Sequence, residues 1–212
     1  MNTFRNTVTD TLWNVLVTLM DIAELNSFRL VGGTSLSLLL GHRMSIDIDL
    51  FTDAEYGTID FLKIRQIIEG KFACVDASDW SNDVPGNSCF LGNDSDDMIK
   101  LDLYYADPFV FPVVQIENIR LSRLEEICAM KLDVIVRGGR KKDFWDIHKL
   151  LDHFTIKQML GFHRLKYPYH HSTDEIKRQL INFNLADGDF DPNCLEDKYW
   201  ELIKLDIEEQ VK

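Results

Sequence analysis

The sequence predicts an α+β chain: a mixed β-sheet with flanking helices, followed by a C-terminal helical region. Two observations carry this. Up to about residue 105, apolar runs of strand length and alternating strands interleave with helical spacing. From Ser122 onward the spacing is helical throughout, with Leu124, Ile127, Cys128, Met130, Lys131, Val134 and Ile135 as its first turns. Pro108 and Pro112 mark the change, so the expected division is an α/β unit over 1–112 and a helical region over 113–212. No long low-complexity linker separates them, and tight packing of the two is expected.

Residues 6–25 carry Val8, Leu12, Val15, Leu16, Leu19 and Ala23 and read as a core-covering helix. Phe28 to Val31 is a short buried strand that stops at Gly32-Gly33. Thr34 is then a plausible N-cap for a helix that ends at Gly41. Residues 46–51 alternate carboxylates with aliphatics. Strand geometry puts Asp47 and Asp49 on one face, and Ile46, Ile48 and Leu50 on the other. A helix over 59–70 follows, then strands over 72–77, 87–92 and 98–105, with polar turns at 78–86 and 93–97. The last strand sets Lys100, Asp102 and Tyr104 against Leu101 and Leu103. Ser122-x-x-Glu125 has the form of a capping box for the next helix, expected to end at Gly138-Gly139. Further helices are expected over 142–153, 155–166, 173–184 and 194–210.

Composition narrows the function. The chain has 212 residues, 45% of them apolar, enough to build a core. A net charge of −12 argues against broad non-specific binding to nucleic acid or anionic membrane. The four cysteines show no CxxC spacing and read as reduced thiols, which points to the cytoplasm. MNTFRNTVTD lacks the layout of a signal peptide, and no apolar run approaches the ~20 residues that span a bilayer.

The chemistry gathers in three places. Asp47, Asp49 and Asp102 come from two strands and converge if those strands are neighbours. Like charges at about 4 Å cost roughly 4 kcal/mol per pair at an effective dielectric of about 20, so such a cluster calls for a cation. Mg2+ (or Mn2+) fits, because it takes carboxylate oxygens together with substrate phosphates. Gly32-Gly33-Thr34 opens a helix, where free N–H groups and the positive dipole end suit phosphate. Arg137-Gly138-Gly139-Arg140-Lys141-Lys142 is the densest basic run. It reads either as a solvated loop or as a triphosphate contact. Asp143 and Asp146 share a helix face and read either as first-turn acids or as site residues. His148, His153, His163, His170 and His171 show no coherent zinc spacing, and His170-His171 reads as loop surface.

In order, the motifs are G-G-T, then Arg43-x-Ser45-x-Asp47-x-Asp49-Leu-Phe, then a strand centred on Asp102. They resemble the nucleotidyltransferase fold superfamily. Lys131-Leu132, Arg137 and Lys142-Asp143-x-x-Asp146-Ile147 add a resemblance to the AbiEii/AbiGii toxin family of abortive-infection and type IV toxin–antitoxin systems. The resemblance spans about residues 28–151. It implies that Gly32, Gly33 and Thr34 form the phosphate turn, with Arg43, Ser45, Arg137 and Lys142 nearby. It implies that Asp47 and Asp49 ligate Mg2+, with Asp102 as third carboxylate and possible base. Lys131 would lie near the triphosphate, and Asp143 and Asp146 would form the last acidic motif. The implied activity moves an NMP from an NTP to a hydroxyl of RNA (tRNA-like), protein or a small molecule. A cognate antitoxin is an implied partner, and a membrane is not. The net charge of −12 disfavours gripping a large RNA. The alternative is an inactive nucleotide-binding or regulatory module. A hydrolase would need a water-activating His-Asp cluster, and no H-D doublet is present.

Overall fold

The computed structural model describes residues 3–77 and 79–212. Met1 and Asn2 of the N-terminal stretch, and Ser78 at the start of an expected turn, lie outside it. Among the described residues, one mixed sheet holds seven strands: β1 (Arg29–Leu30), β2 (Asp47–Thr52), β3 (Cys74–Asp76), β4 (Gly86–Gly92), β5 (Ile99–Tyr105), β6 (Val114–Ile116) and β7 (Ile119–Leu121). Their order is β3-β4-β5-β2-β1-β7-β6. β2 runs parallel to β5 and antiparallel to β1, while β1 runs parallel to β7. The helices are α1 (Asp10–Met20), α2 (Gly32–Leu40), α3 (Phe61–Lys71), α4 (Leu124–Val136), α5 (Lys141–Leu150), α6 (Ile156–Lys166), α7 (Thr173–Leu180) and α8 (Trp200–Val211).

The alternation of β2 and β5 explains where the core sits. Ile48, Leu50, Leu101 and Leu103 are fully buried, whereas Asp47, Asp49, Lys100 and Asp102 keep partial exposure. Burying an aliphatic side chain of this size stabilises the fold by about 1.5–3 kcal/mol. α1 contributes Leu12, Leu16 and Leu19 to the same core and packs on β2, β5 and β7. Ile46 departs from the expected pattern. It precedes β2 and is 68% exposed, so it does not share the core face with Ile48.

Two start signals resolve differently from their sequence patterns. α2 begins at Gly32, with Val31 as N-cap, so Thr34 is not the cap. α4 begins at Leu124 after Arg123, and the Ser122-Glu125 box does not form. Glu125 pairs with Arg123 at 3.1 Å instead, and the Ser122 hydroxyl is buried without a partner among the described residues.

The chain beyond residue 112 is not purely helical. β6 and β7 form a hairpin across Glu117, whose φ is 54°, and β7 then pairs with β1 in the main sheet. Strands of three residues are too short to show alternation, so this hairpin left no periodic signal. It places α4 directly after a sheet strand, and α4 packs against α2, α5, α6 and α7.

Candidate active site

Asp49 and Asp102 face each other across the parallel β2–β5 pair, and Asp47 faces Lys100. Both Asp102 oxygens are engaged: Ser88 donates from Oγ at 2.5 Å and Lys100 from Nζ at 2.6 Å. The Asp47 and Asp49 carboxylates accept no hydrogen bond among the described residues, and the nearest cation to the Asp47 carboxylate is Lys142 Nζ at 3.6 Å. Burial, followed by the Asp102 charge and then the Asp47 charge, raises the Asp49 carboxyl to about 6, while Lys131 and Lys142 oppose the rise. The surroundings of Asp49 therefore disfavour its negative charge, and a divalent cation there would relieve that cost. As the side chains stand, no three His, Cys, Asp or Glu among the described residues close on one point. The donor set fits a cation held by two carboxylates that completes its shell with substrate oxygens.

The start of α2 supplies a complementary partner. Among the described residues no side chain caps it, and its first N–H groups, which have no intrahelical partner in any helix, have no side-chain acceptor either. Gly32 has φ 66°, and a Cβ there would lie 2.6 Å from Asp49 Oδ2. A Cβ on Gly33 would overlap the Arg43 guanidinium. Both glycines are required by close approach rather than by the turn alone. The Thr34 hydroxyl bonds Ser45 Oγ at 2.7 Å and the Asp47 carbonyl, which locks α2 to the start of β2. Thr34 is thus committed internally.

The helix pair α4–α5 closes the site from the other side. Lys131 Nζ lies 2.6 Å from Asp143 Oδ1 and 2.7 Å from Asp146 Oδ2. Arg43 grips Asp146 with Nε at 2.7 Å and Nη2 at 2.9 Å, and His42 Nε2 adds a contact at 2.8 Å. Asp146 is fully buried. Its carboxyl is held well below the usual carboxylate range because the charges of Arg43 and Lys131 outweigh the cost of burial. Asp143 accepts from the Arg140 backbone N–H at 2.9 Å, so it caps α5 as well as binding Lys131.

Two cavities meet at Asp47 and Asp49. The first, about 250 Å³, runs from Gly32 and Gly33 past Arg43, Ser45, Lys131, Lys142 and Asp143 to an apolar wall of Phe51, Ile127, Met130 and Val134. The second, about 680 Å³, lies over Lys100 and Asp102 and is walled by Arg140, Lys142 and the segment 189–193. That segment is strapped down: Arg140 binds Asp189 at 2.9 and 3.0 Å, and Lys141 binds Asp191 at 2.8 Å.

Comparison with known proteins matches this architecture. The model for the nucleotidyl transferase AbiEii toxin family, of type IV toxin–antitoxin systems, matches residues 14–210. The chain belongs to that family. The AbiEii family is one of nucleotidyltransferases, whose chemistry is transfer of a nucleoside monophosphate. No curated protein matches the chain. Similar solved structures share the fold. An H. pylori protein described as a candidate nucleotidyltransferase has 19% identity and TM-score 0.63, with 94% of this chain and 89% of that one covered. JHP933 from Helicobacter pylori has 18% identity and TM-score 0.57, with 94% and 87% covered. MenT4, nucleotidyltransferase toxin Rv2826c from Mycobacterium tuberculosis H37Rv, has 14% identity and TM-score 0.59, with 92% and 78% covered.

For this AbiEii-family chain, the structure brings Gly32, Gly33, Arg43, Ser45, Asp47, Asp49, Lys131, Lys142 and Asp143 around one cavity, with Asp102 in the adjoining one. Asp146 lies behind them and lines neither. Arg137 points away: its guanidinium pairs with Asp133 at 2.6 Å and is largely exposed. Sequence reasoning missed His42 and Ser88, whose roles come from contacts 104 and 14 residues away. It also missed the apolar wall, although Ile127, Met130, Lys131 and Val134 share a helical face. Among the described residues, no helix is long and apolar enough to cross a membrane.

Proposed function

We propose that this chain transfers an NMP from an NTP to a hydroxyl acceptor in a Mg2+-dependent reaction, as the toxin of a type IV pair. The supporting observation is the meeting of the uncapped α2 terminus with Asp49, whose charge is disfavoured by burial and by Asp102, and with Asp47, whose nearest cation is Lys142 at 3.6 Å, at the junction of two cavities. The N–H groups of Gly32 and Gly33 would cradle phosphate oxygens, with Lys142 and Arg43 adding positive charge. Lys131 lies on the same wall, its ammonium oriented by Asp143 and Asp146.

Asp47 and Asp49 would hold the ion, with Mn2+ as a substitute. When bound, it supplies charge neutralisation at the phosphates and polarises the reacting phosphoryl group. Asp102 faces the larger cavity, where the acceptor would enter. Its carboxylate, oriented by Ser88 and Lys100, would accept the proton of the attacking hydroxyl. The remaining contribution is positioning. The acceptor hydroxyl belongs to RNA, protein or a small molecule, and the cognate partner is an antitoxin.

The test is incubation with labelled NTPs, Mg2+ and a panel of RNA and protein acceptors. Label transfer that disappears in Asp47→Ala and Asp49→Ala bears the reading out. Nucleotide binding without transfer to any acceptor would favour a regulatory module.

A further inference from the structure

An open cavity of about 570 Å³ lies between α6, α7 and the end of α8, and shares no lining residue with the two cavities at Asp47 and Asp49. α6 gives it one helical face, Lys157, Leu160, Gly161 and Arg164, at i, i+3, i+4 and i+7. α7 adds Thr173 and Lys177, one turn apart, and α8 ends on it with Val211 followed by Lys212. The buried aliphatics Ile156, Leu160 and Val211 form its floor. Gly161 keeps that floor open, because a Cβ there would meet nothing within 4 Å. The charge of the cavity runs against that of the chain. The net charge is −12, yet Lys157, Arg164, Lys177 and Lys212 line the cavity and, among the described residues, no Asp or Glu does. None of the four forms an ion pair or a side-chain hydrogen bond among the described residues, whereas Lys141, Lys149, Lys166 and Lys204 of the same helical region each hold a carboxylate. In a chain with an excess of carboxylates, cations left unpaired around one apolar floor are available to carboxylates from outside.

We infer that this groove docks an acidic segment of a partner protein, one that carries Asp or Glu beside aliphatic side chains, and that it does so independently of nucleotidyl transfer. The four cations take the carboxylates at the rim, their aliphatic stems lying along the groove walls. The aliphatic side chains of the segment enter over Ile156, Leu160, Gly161 and Val211, in the manner of a peptide laid into a helical groove. A single-stranded nucleic acid would match the charge, but among the described residues no aromatic side chain lines the groove for its bases to stack on. A small inorganic anion would match the charge and leave the apolar floor unused.

The test is fluorescence anisotropy of a labelled synthetic peptide, Leu at helical spacing and Glu elsewhere, titrated with the full chain. The expected result is saturable binding that weakens with added salt and is lost when Lys replaces Glu or Ser replaces Leu in the peptide. Combined Lys157→Glu and Arg164→Glu should weaken binding by about tenfold or more, and so should Gly161→Leu, which keeps every charge and fills the open floor. Leu in place of Gly within a helix also favours the fold, so the second variant reads docking rather than unfolding. Arg178→Glu, an exposed position on α7 outside the cavity, should change binding little. Asp47→Ala should leave peptide binding unchanged, and Gly161→Leu should leave label transfer unchanged, so docking and nucleotidyl transfer are read separately. Absence of saturable binding overturns the inference, as does binding undiminished in the charge-reversed chain or in Gly161→Leu. Preferred binding of a labelled oligouridine assigns the groove to nucleic acid and overturns it too. So does self-association of the chain that Gly161→Leu abolishes, which assigns the groove to a second copy.

Discussion

Asp49 lies directly across the parallel β2–β5 pair from Asp102, and of the two only Asp102 has a cation at hydrogen-bond distance. The register makes the two carboxylates neighbours, while the side chains around them neutralise just one. The Asp49 carboxyl is consequently raised to about 6, by burial first and then by the Asp102 charge.

That rise has a signed consequence for stability. The unfolded carboxyl titrates near 3.8 and the folded one near 6, so between these values the folded chain binds more protons. Metal-free stability should therefore fall as pH rises from about 4 to about 6, by at most roughly 3 kcal/mol at about 1.4 kcal/mol per unit. Asp49→Asn should flatten this slope and raise the metal-free Tm at pH 7. Urea melts of both chains across that range measure it, and an unchanged slope in Asp49→Asn would refute the origin proposed here.

Asp146 should behave oppositely. Its folded carboxyl is depressed, so its contribution is fully present above the unfolded value and is lost as acid titrates the folded group. Asp146→Asn removes the shared partner of Arg43, Lys131 and His42, and should destabilise the fold by about 3–5 kcal/mol in chemical denaturation. Asp47→Ala should not lower the denaturation midpoint. Equal losses in the two variants would contradict the division into site and scaffold.

Gly33→Ala places a methyl group where the Arg43 guanidinium sits. Arg43 would have to leave Asp146, with an overpacking cost of about 1–3 kcal/mol. The expected outcome is a lower Tm together with weaker binding of a fluorescent NTP analogue. Unchanged nucleotide affinity would remove Gly33 from the phosphate site.

Lys142 is partly exposed and 3.6 Å from Asp47, outside the buried network. Lys142→Ala should raise KM for NTP severalfold and leave Tm within about 1 °C, as surface substitutions usually do. A loss of Tm with unchanged KM would reverse that assignment.

Much of the site was legible because strand and helix periods fix which residues share a face. The alternation over 47–52 and 99–105 settles the face of Asp47, Asp49 and Asp102 before any pairing is known. The spacing from Leu124 onward likewise settles that Lys131 lies on a helix. Local signals failed where a competing contact won. Thr34 has the form of an N-cap, but Ser45 and the Asp47 carbonyl claim its hydroxyl. Ser122 has the form of a capping-box residue, but Arg123 takes Glu125. Arg137 belongs to the basic run, but the Asp133 carboxylate draws it away from the nucleotide cavity.

The sequence by itself determined the chemistry on offer: paired acids on one strand face, a glycine-opened helix, and a lysine and two aspartates on successive helices. Only the tertiary structure decided how these share their charges. Parallel pairing of β2 with β5 set Asp49 against Asp102 and made its charge costly. The α4–α5 packing buried Asp146 between Arg43 and Lys131 and turned it into scaffold. Packing of α6 and the α6–α7 connection against α4 gathered three histidines around Asp133. Periodicity is a property of neighbours along the chain, whereas electrostatic partnership depends on distance in space, which no local pattern encodes.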